Sequence, residues 1–87
     1  MLIRFHGPFE KLAEKEVKVT VEKHLDVRHL LQQLTIVYPK LPFHDIGNPN
    51  TELSASIILV KNGAAIRLGD TVTDKDIIDI FIPVSGG

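Results

Sequence analysis

One stripe of apolar residues repeats at helical spacing in this chain: Val27, Leu30, Leu31, Leu34 and Tyr38, with Arg28, Gln32 and Gln33 lying off it. On both sides of that stripe the apolar residues alternate or run together, as they do in strands. One helix covers one face of a sheet and leaves the other face uncovered. The pattern therefore confines the chain to an α+β fold with a single main helix on one side of a sheet. Asp26 stands at the helix entry, where its carboxylate accepts from unpaired N–H groups of the first turn. His29 occupies the third helical position, so the reciprocal Glu or Gln of a capping box is missing. Pro39 stops the helix near Tyr38.

Met1, Ile3 and Phe5 fall on one side of an N-terminal strand, and Leu2, Arg4 and His6 on the other. Gly7-Pro8 breaks it, and a polar stretch over 10–16 leads to Val17, Val19 and Val21, alternating with Lys18, Thr20 and Glu22. These two strands suit a hairpin with a long polar loop. After the helix, Pro39, Pro42, Gly47 and Pro49 mark residues 39–55 as loop. The β-branched run Ile57-Ile58-Leu59-Val60 predicts a strand near the sheet centre. Asn62-Gly63 predicts a hairpin turn into Ala64-Ala65-Ile66-Arg67. Ile77 to Ile82 predicts a last strand, closed by Pro83. The order is β-β-α-β-β-β, with Ile3, Phe5, Val17, Val19, Val21, Leu30, Leu31 and Leu34 expected in the core. Residues 1–83 form one domain, and residues 84–87 are expected to be a flexible tail with nothing to pack against.

Composition removes several function classes. With 87 residues the chain suits one small domain with a modest core. The absence of cysteine excludes disulfides, thiolate metal sites, iron–sulfur clusters and a thiol nucleophile, and suits a reducing cytosol. A net charge of −1 with mixed signs gives no reason to expect nucleic acid or an anionic membrane as partner. No signal peptide or membrane span is expected, since the start lacks a basic lead and no apolar run approaches spanning length. His6, His24, His29 and His44 form no helical metal pair, and no metal site is expected. Asp70, Asp74, Asp76 and Asp79 lack the spacing of a calcium loop and read as turn or edge residues. Ser54 and Ser56 have no accompanying base motif.

The element order and certain local sequences together resemble a known family. Ile3-Arg4-Phe5-His6-Gly7-Pro8-Phe9 has its apolar strand and aromatic-containing turn. Asp26 to Leu34 fits its helix entry, Tyr38-Pro39-Lys40-Leu41 its helix end, and Asn62-Gly63 its hairpin. The sharpest match is Pro83-Val84-Ser85-Gly86-Gly87 at the C-terminus. Over essentially its whole length the chain resembles the ubiquitin-like β-grasp sulfur carriers, most of all the molybdopterin synthase small subunit (MoaD-like) family. Shorter ThiS-type carriers of thiazole synthesis also end in Gly-Gly; chain length and the tail sequence favour the MoaD-like side. Ferredoxin-type β-grasp electron transfer is excluded by the missing cysteines.

That resemblance implies a chemistry. The carboxylate of Gly87 would be adenylated with ATP by a ubiquitin-activating-type enzyme and converted by a sulfurtransferase donor to a thiocarboxylate. A molybdopterin synthase large subunit would then receive the sulfur, placing the protein in the cytoplasm and in molybdenum or tungsten cofactor biosynthesis. The chain would bind no cofactor and would not be catalytic alone. Gly86 and Gly87, lacking side chains, suit passage through a narrow channel; Pro83 separates domain from tail, and Ser85 serves tail conformation. If Ile78 and Ile80 face the core, Ile77, Asp79 and Phe81 face outward, and Leu59, Ile66 and Leu68 join them in a patch that fits a partner. With Pro83, Val84 and Ser85 these are the expected partner-binding residues. The same apolar residues completing the core is the competing reading, as solvated charge is for a rim of Arg4, Lys61 and Arg67. Alternative roles are sulfur delivery for tRNA thiolation, attachment to protein lysines as a ubiquitin-like modifier, or a non-catalytic β-grasp binding module.

Overall fold

The last strand organises the sheet. In the computed structural model, which describes residues 1–54 and 57–81, the strand β7 (Ile77–Phe81) lies between β1 (Leu2–Phe5) and β4 (Ile58–Lys61). It runs parallel to β1, with Ile3 opposite Ile78 and Phe5 opposite Ile80. It runs antiparallel to β4, with Leu59 opposite Ile80. The hairpin partner β2 (Glu16–Lys18) forms one edge beside β1, and β5 (Ala64–Ala65) forms the other beside β4. The expected end of this strand at Ile82, the domain boundary at 83 and the tail over 84–87 fall outside the described residues.

Alternation sets which side chains face inward. Ile3, Phe5, Leu59, Ile78 and Ile80 share the face covered by the main helix α2 (Val27–Val37), and all are buried. Val27, Leu30, Leu31 and Leu34 supply the helix side of that core. The Asp26 carboxylate accepts from the His29 N–H at 2.7 Å. The Val27 and Arg28 N–H groups donate to the carbonyls of Asp70 and Leu68, so the helix entry is satisfied. Helix and hairpin expectations both hold here.

Three elements went beyond the expected order. A single turn, α1 (Phe9–Leu12), interrupts the long loop of the first hairpin and sinks Phe9 completely. A second, two-stranded sheet pairs β3 (His24–Asp26) with β6 (Thr71–Thr73). The ladder of β2 is shorter than the valine alternation predicted. It continues as far as the Val19 N–H, which donates to the Met1 carbonyl, and then ends, the Val21 N–H turning to the Asp74 carboxylate at 2.9 Å. Val17, Val19 and Val21 are correspondingly half-buried at the rim rather than central.

Residues 39–54 are loop, as expected, but not idle. Leu41, Phe43 and Ile46 are buried in the main core. Phe43 packs on Phe9, which meets Phe5 edge-on, and Phe5 meets Tyr38 in the same way. Arg28, off the apolar stripe of α2, donates through Nη1 to the carbonyls of Ile46, Asn48 and Thr51 at 2.9, 2.8 and 2.7 Å. One guanidinium thus ties three loop carbonyls to the helix. At the β4–β5 hairpin, Asn62 and Gly63 both have positive φ, 51° and 90°, the conformation that favours this dipeptide in a two-residue turn.

Candidate functional site on the outer sheet face

The sheet face away from α2 carries Leu2 and Arg4 from β1, Ile58 and Val60 from β4, and Ile77, Asp79 and Phe81 from β7. Register places Leu2 beside Ile77, Arg4 beside Asp79, and Asp79 and Phe81 beside Val60 and Ile58. Ile58 is 46% and Ile77 37% exposed. Among the described residues the other large exposed hydrophobics, Ile36 and Val37, sit at the end of α2.

An acid in the middle of an apolar strand must be paired or lose much of its solvation without return. Asp79 is 8% exposed and is paired from two sides. Arg4 Nε donates to Oδ1 at 2.8 Å and Nη2 to Oδ2 at 3.0 Å, a two-point fork. His6 Nε2 lies 2.7 Å from the same Oδ1. A carboxylate oxygen only accepts, so the imidazole carries its proton on Nε2. The hydrogen bonds from Arg4 hold the Asp79 carboxyl below its ordinary value, against the opposing effect of burial, with His6 adding to the lowering. The same contact raises the pKa of Arg4.

The His6 ring also stacks on Phe81, with centroids 4.3 Å apart and planes at 10°. The His6 N–H donates to the Ile80 carbonyl at 3.0 Å. The end of β7 is therefore gripped from the β1 side through both main chain and side chain. Residues 82–87 follow directly in the chain.

The expected partner residues divide. Ile77 and Phe81 lie on the outer face. Leu59 does not: opposite Ile80 in the ladder, it turns inward and is 3% exposed. Ile66 and Leu68 are half-buried and pack against the main core, so core completion holds for Leu59, while Ile66 and Leu68 keep part of their surface exposed. Pro83, Val84, Ser85, Gly86 and Gly87 lie outside the described residues. Of the expected rim of Arg4, Lys61 and Arg67, two members take partners within the domain. The Arg4 guanidinium pairs with Asp79, the Lys61 ammonium donates to the Thr71 carbonyl at 3.0 Å, and the main-chain N–H of Arg67 donates to the Asp70 carboxylate in a turn. The His6–Asp79–Arg4 network was not anticipated. Its signal was present as an acid inside Ile77-Ile78-Asp79-Ile80-Phe81, and as Arg4 and His6 on the same side of β1.

Among the described residues there is no group of three or more His, Asp or Glu arranged to hold a metal ion, and no helix long and apolar enough to cross a membrane. Asp70, Asp74 and Asp76 take turn and cap roles, binding the N–H groups of Arg67, Val21 and Thr73.

Comparison with known proteins places this geometry. The ThiS family model matches residues 3–87. SAMP1 from Haloferax volcanii superposes with a TM-score of 0.81 at 30% identity, over 99% of this chain and 97% of that one. The small archaeal modifier protein 1 from Methanosarcina acetivorans gives 0.73 at 28%, over 99% and 94%. A putative molybdopterin converting factor, subunit 1, from Pyrococcus furiosus gives 0.73 at 20%, over 95% of each chain, a likeness of fold. No curated protein sequence matches the chain.

Proposed function

Because this chain belongs to the ThiS family of ubiquitin-like β-grasp sulfur carriers and modifiers, we propose that it works through the carboxylate of Gly87, which partner proteins activate and load with sulfur. One observation carries the reading. The family match runs to residue 87, six residues past the end of β7, so Gly86-Gly87 follows the strand at the centre of the sheet.

The chemistry needs help from outside. A carboxylate is ionised at neutral pH, its group titrating near 3.5 or so, and a carboxylate resists nucleophilic attack. A ubiquitin-activating-type enzyme supplies ATP; a Gly87 carboxylate oxygen attacks the α-phosphorus, forming an acyl-adenylate and releasing pyrophosphate. The outer sulfur of a sulfurtransferase persulfide then attacks the carbonyl and expels AMP, and a thiol reductant cleaves the resulting acyl disulfide to the thiocarboxylate; free sulfide would give the thiocarboxylate directly by displacing AMP. The chain contributes the reacting carboxylate and a scaffold. Gly86 and Gly87 leave that carboxylate unobstructed, having no Cβ to meet a narrow channel.

The first destination is a molybdopterin synthase large subunit in the cytoplasm, to which the sulfur is delivered for a pterin precursor. The tail sequence and the fold likeness to the Pyrococcus protein support it. A second destination, protein lysines, is favoured by a specific observation: the two modifier proteins above are 30% and 28% identical to this chain over 99% of its length. In the test, the protein is incubated with ATP, an adenylating enzyme and a sulfur donor, and its intact mass is measured. A gain of about 16 Da marks oxygen replaced by sulfur; no gain refutes the carrier reading. Sulfur transfer to a pterin precursor in the presence of a large subunit, against lysine-linked conjugates, separates the two destinations.

A further inference from the structure

Resting on that reading, we infer that Arg4, His6 and Asp79 with Phe81 are the specificity key for the adenylating enzyme. Arg4 is a recognition residue, and His6 positions Phe81. Six residues separate Phe81 from the reacting carboxylate, and at ~3.3–3.6 Å each they span at most about 21 Å. Any protein that holds ATP against that carboxylate must therefore come within about this distance of the end of β7. That end is fixed by His6 on one side and by the pairing of Phe81 with Ile58 on the other.

The surface there has a definite chemistry. Ile58, Val60 and Phe81 give an apolar surround, and the ion pair stands within it. Both Asp79 oxygens are taken by Arg4 and His6. Arg4 uses Nε and Nη2, its Nη1 makes no hydrogen bond among the described residues, and its side chain is 42% exposed. The network therefore turns donors outward, and its carboxylate is already engaged. A partner with a uniformly apolar face would strip water from Nη1 and return nothing. The fitting partner lays apolar side chains on Phe81 and Ile58 and sets an acceptor, a carboxylate or main-chain carbonyl, against Arg4. The enzyme that adenylates Gly87 is the occupant: the short reach brings it to the end of β7, and at that end this face presents Phe81 beside Ile58 and the stacked His6. A sheet held together only by apolar contacts would not discriminate among such enzymes; a charge pair with its acid buried and its base half-exposed does.

The test is ATP–pyrophosphate exchange by the ubiquitin-activating-type enzyme from the same organism, with this protein as the varied substrate. Arg4→Leu with Asp79→Leu removes both charges together and strands neither. Arg4→Asp with Asp79→Arg keeps a pair but moves the donors. Arg4→Lys keeps the charge on Asp79 and loses the outward Nη1. The first two raise KM about tenfold and the third about fivefold, with kcat within about twofold, since the catalytic groups belong to the enzyme. His6→Gln, which keeps a donor toward Asp79 but loses the stacked ring, raises KM about threefold. Melting temperatures identify any variant whose fold has suffered, and Arg4→Lys remains the arm least exposed to that. Wild-type KM in the swapped pair and in Arg4→Lys overturns the inference and leaves the carrier reading standing. No exchange with the wild-type protein overturns the carrier reading itself, and the inference with it.

Discussion

Replacing Arg28 by Ala should cost this domain a large part of its stability, although Arg28 lies off the apolar face of its helix. Its Nη1 serves three carbonyls at 2.7–2.9 Å. The bonds to Ile46 and Thr51 are partly buried, and the bond to Asn48 is exposed. Water replaces the exposed one at little cost. The two partly buried ones are charge-assisted, each worth about 1.5–3 kcal/mol, with some of that recovered where water reaches. The expected loss is about 3 kcal/mol. It registers globally because the loop is anchored by Leu41, Phe43 and Ile46, at 0, 3 and 3% exposure within the main core. A domain of this length has about 4–13 kcal/mol in total. With a urea m-value of about 1–1.5 kcal/mol/M, the midpoint should fall by about 2–3 M at unchanged m. Arg28→Lys should recover about half, since an ammonium on a shorter arm reaches fewer carbonyls. A midpoint shift under about 0.3 M in the Ala variant would refute the idea that this guanidinium locks the loop to the core.

Other outcomes follow from the same structure. Asp74, Asp76 and Asp79 are all held below the ordinary carboxyl value, chiefly by the Val21 N–H, the Thr73 N–H and Arg4 respectively. Groups depressed on folding contribute stability that is complete above the unfolded value near 3.9 and is lost as pH falls through the folded values. The melting temperature should therefore hold from pH 7 to about 5 and drop toward pH 2, less steeply in Asp79→Asn; a flat profile would contradict these pairings. Gly63→Ala should cost about 1 kcal/mol by thermal melting, from its φ of 90° alone, because an added Cβ meets nothing within 4 Å. Phe5→Ala should cost about 3–5 kcal/mol, since the ring is 1% exposed and touches both Phe9 and Tyr38. Deleting Gly86-Gly87 should abolish adenylation and leave the urea midpoint unchanged, as the core among the described residues is built within residues 1–80.

What was legible in the sequence was what repeats. The stripe of α2 and its Asp26 cap could be read because 11 residues carry three turns of one periodic pattern. β1 alternates clearly, β7 shows as an apolar run interrupted by one acid, and Asn62-Gly63 leaves few choices of turn. β3 and β6 were not legible, because three residues each give one buried position, Val72, or none, which is no period. The turn α1 is too short to show a helical repeat, and only its Phe9 carries the burial. The loop over 39–54 reads as irregular from its prolines, yet sequence spacing gives no hint that Arg28 reaches across to it. Leu59 was placed outward with Ile77 because a run of four apolar residues has no parity of its own; the register with Ile80 decides it. The outer-face network was missed because its members lie 73 and 75 residues apart. A parallel pairing of first and last strands brings them together, and that pairing is a property of the whole topology.

The central claim concerns a single atom group, the carboxyl at the end of residue 87, and fragment mass spectrometry tests it most directly. The protein is treated with ATP, an adenylating enzyme and a sulfide source, digested, and its C-terminal peptide sequenced in the mass spectrometer. The added mass of about 16 Da is expected on the last residue alone and is absent from a chain lacking Gly87. The same increment on any internal residue, or retained in the shortened chain, would contradict the account.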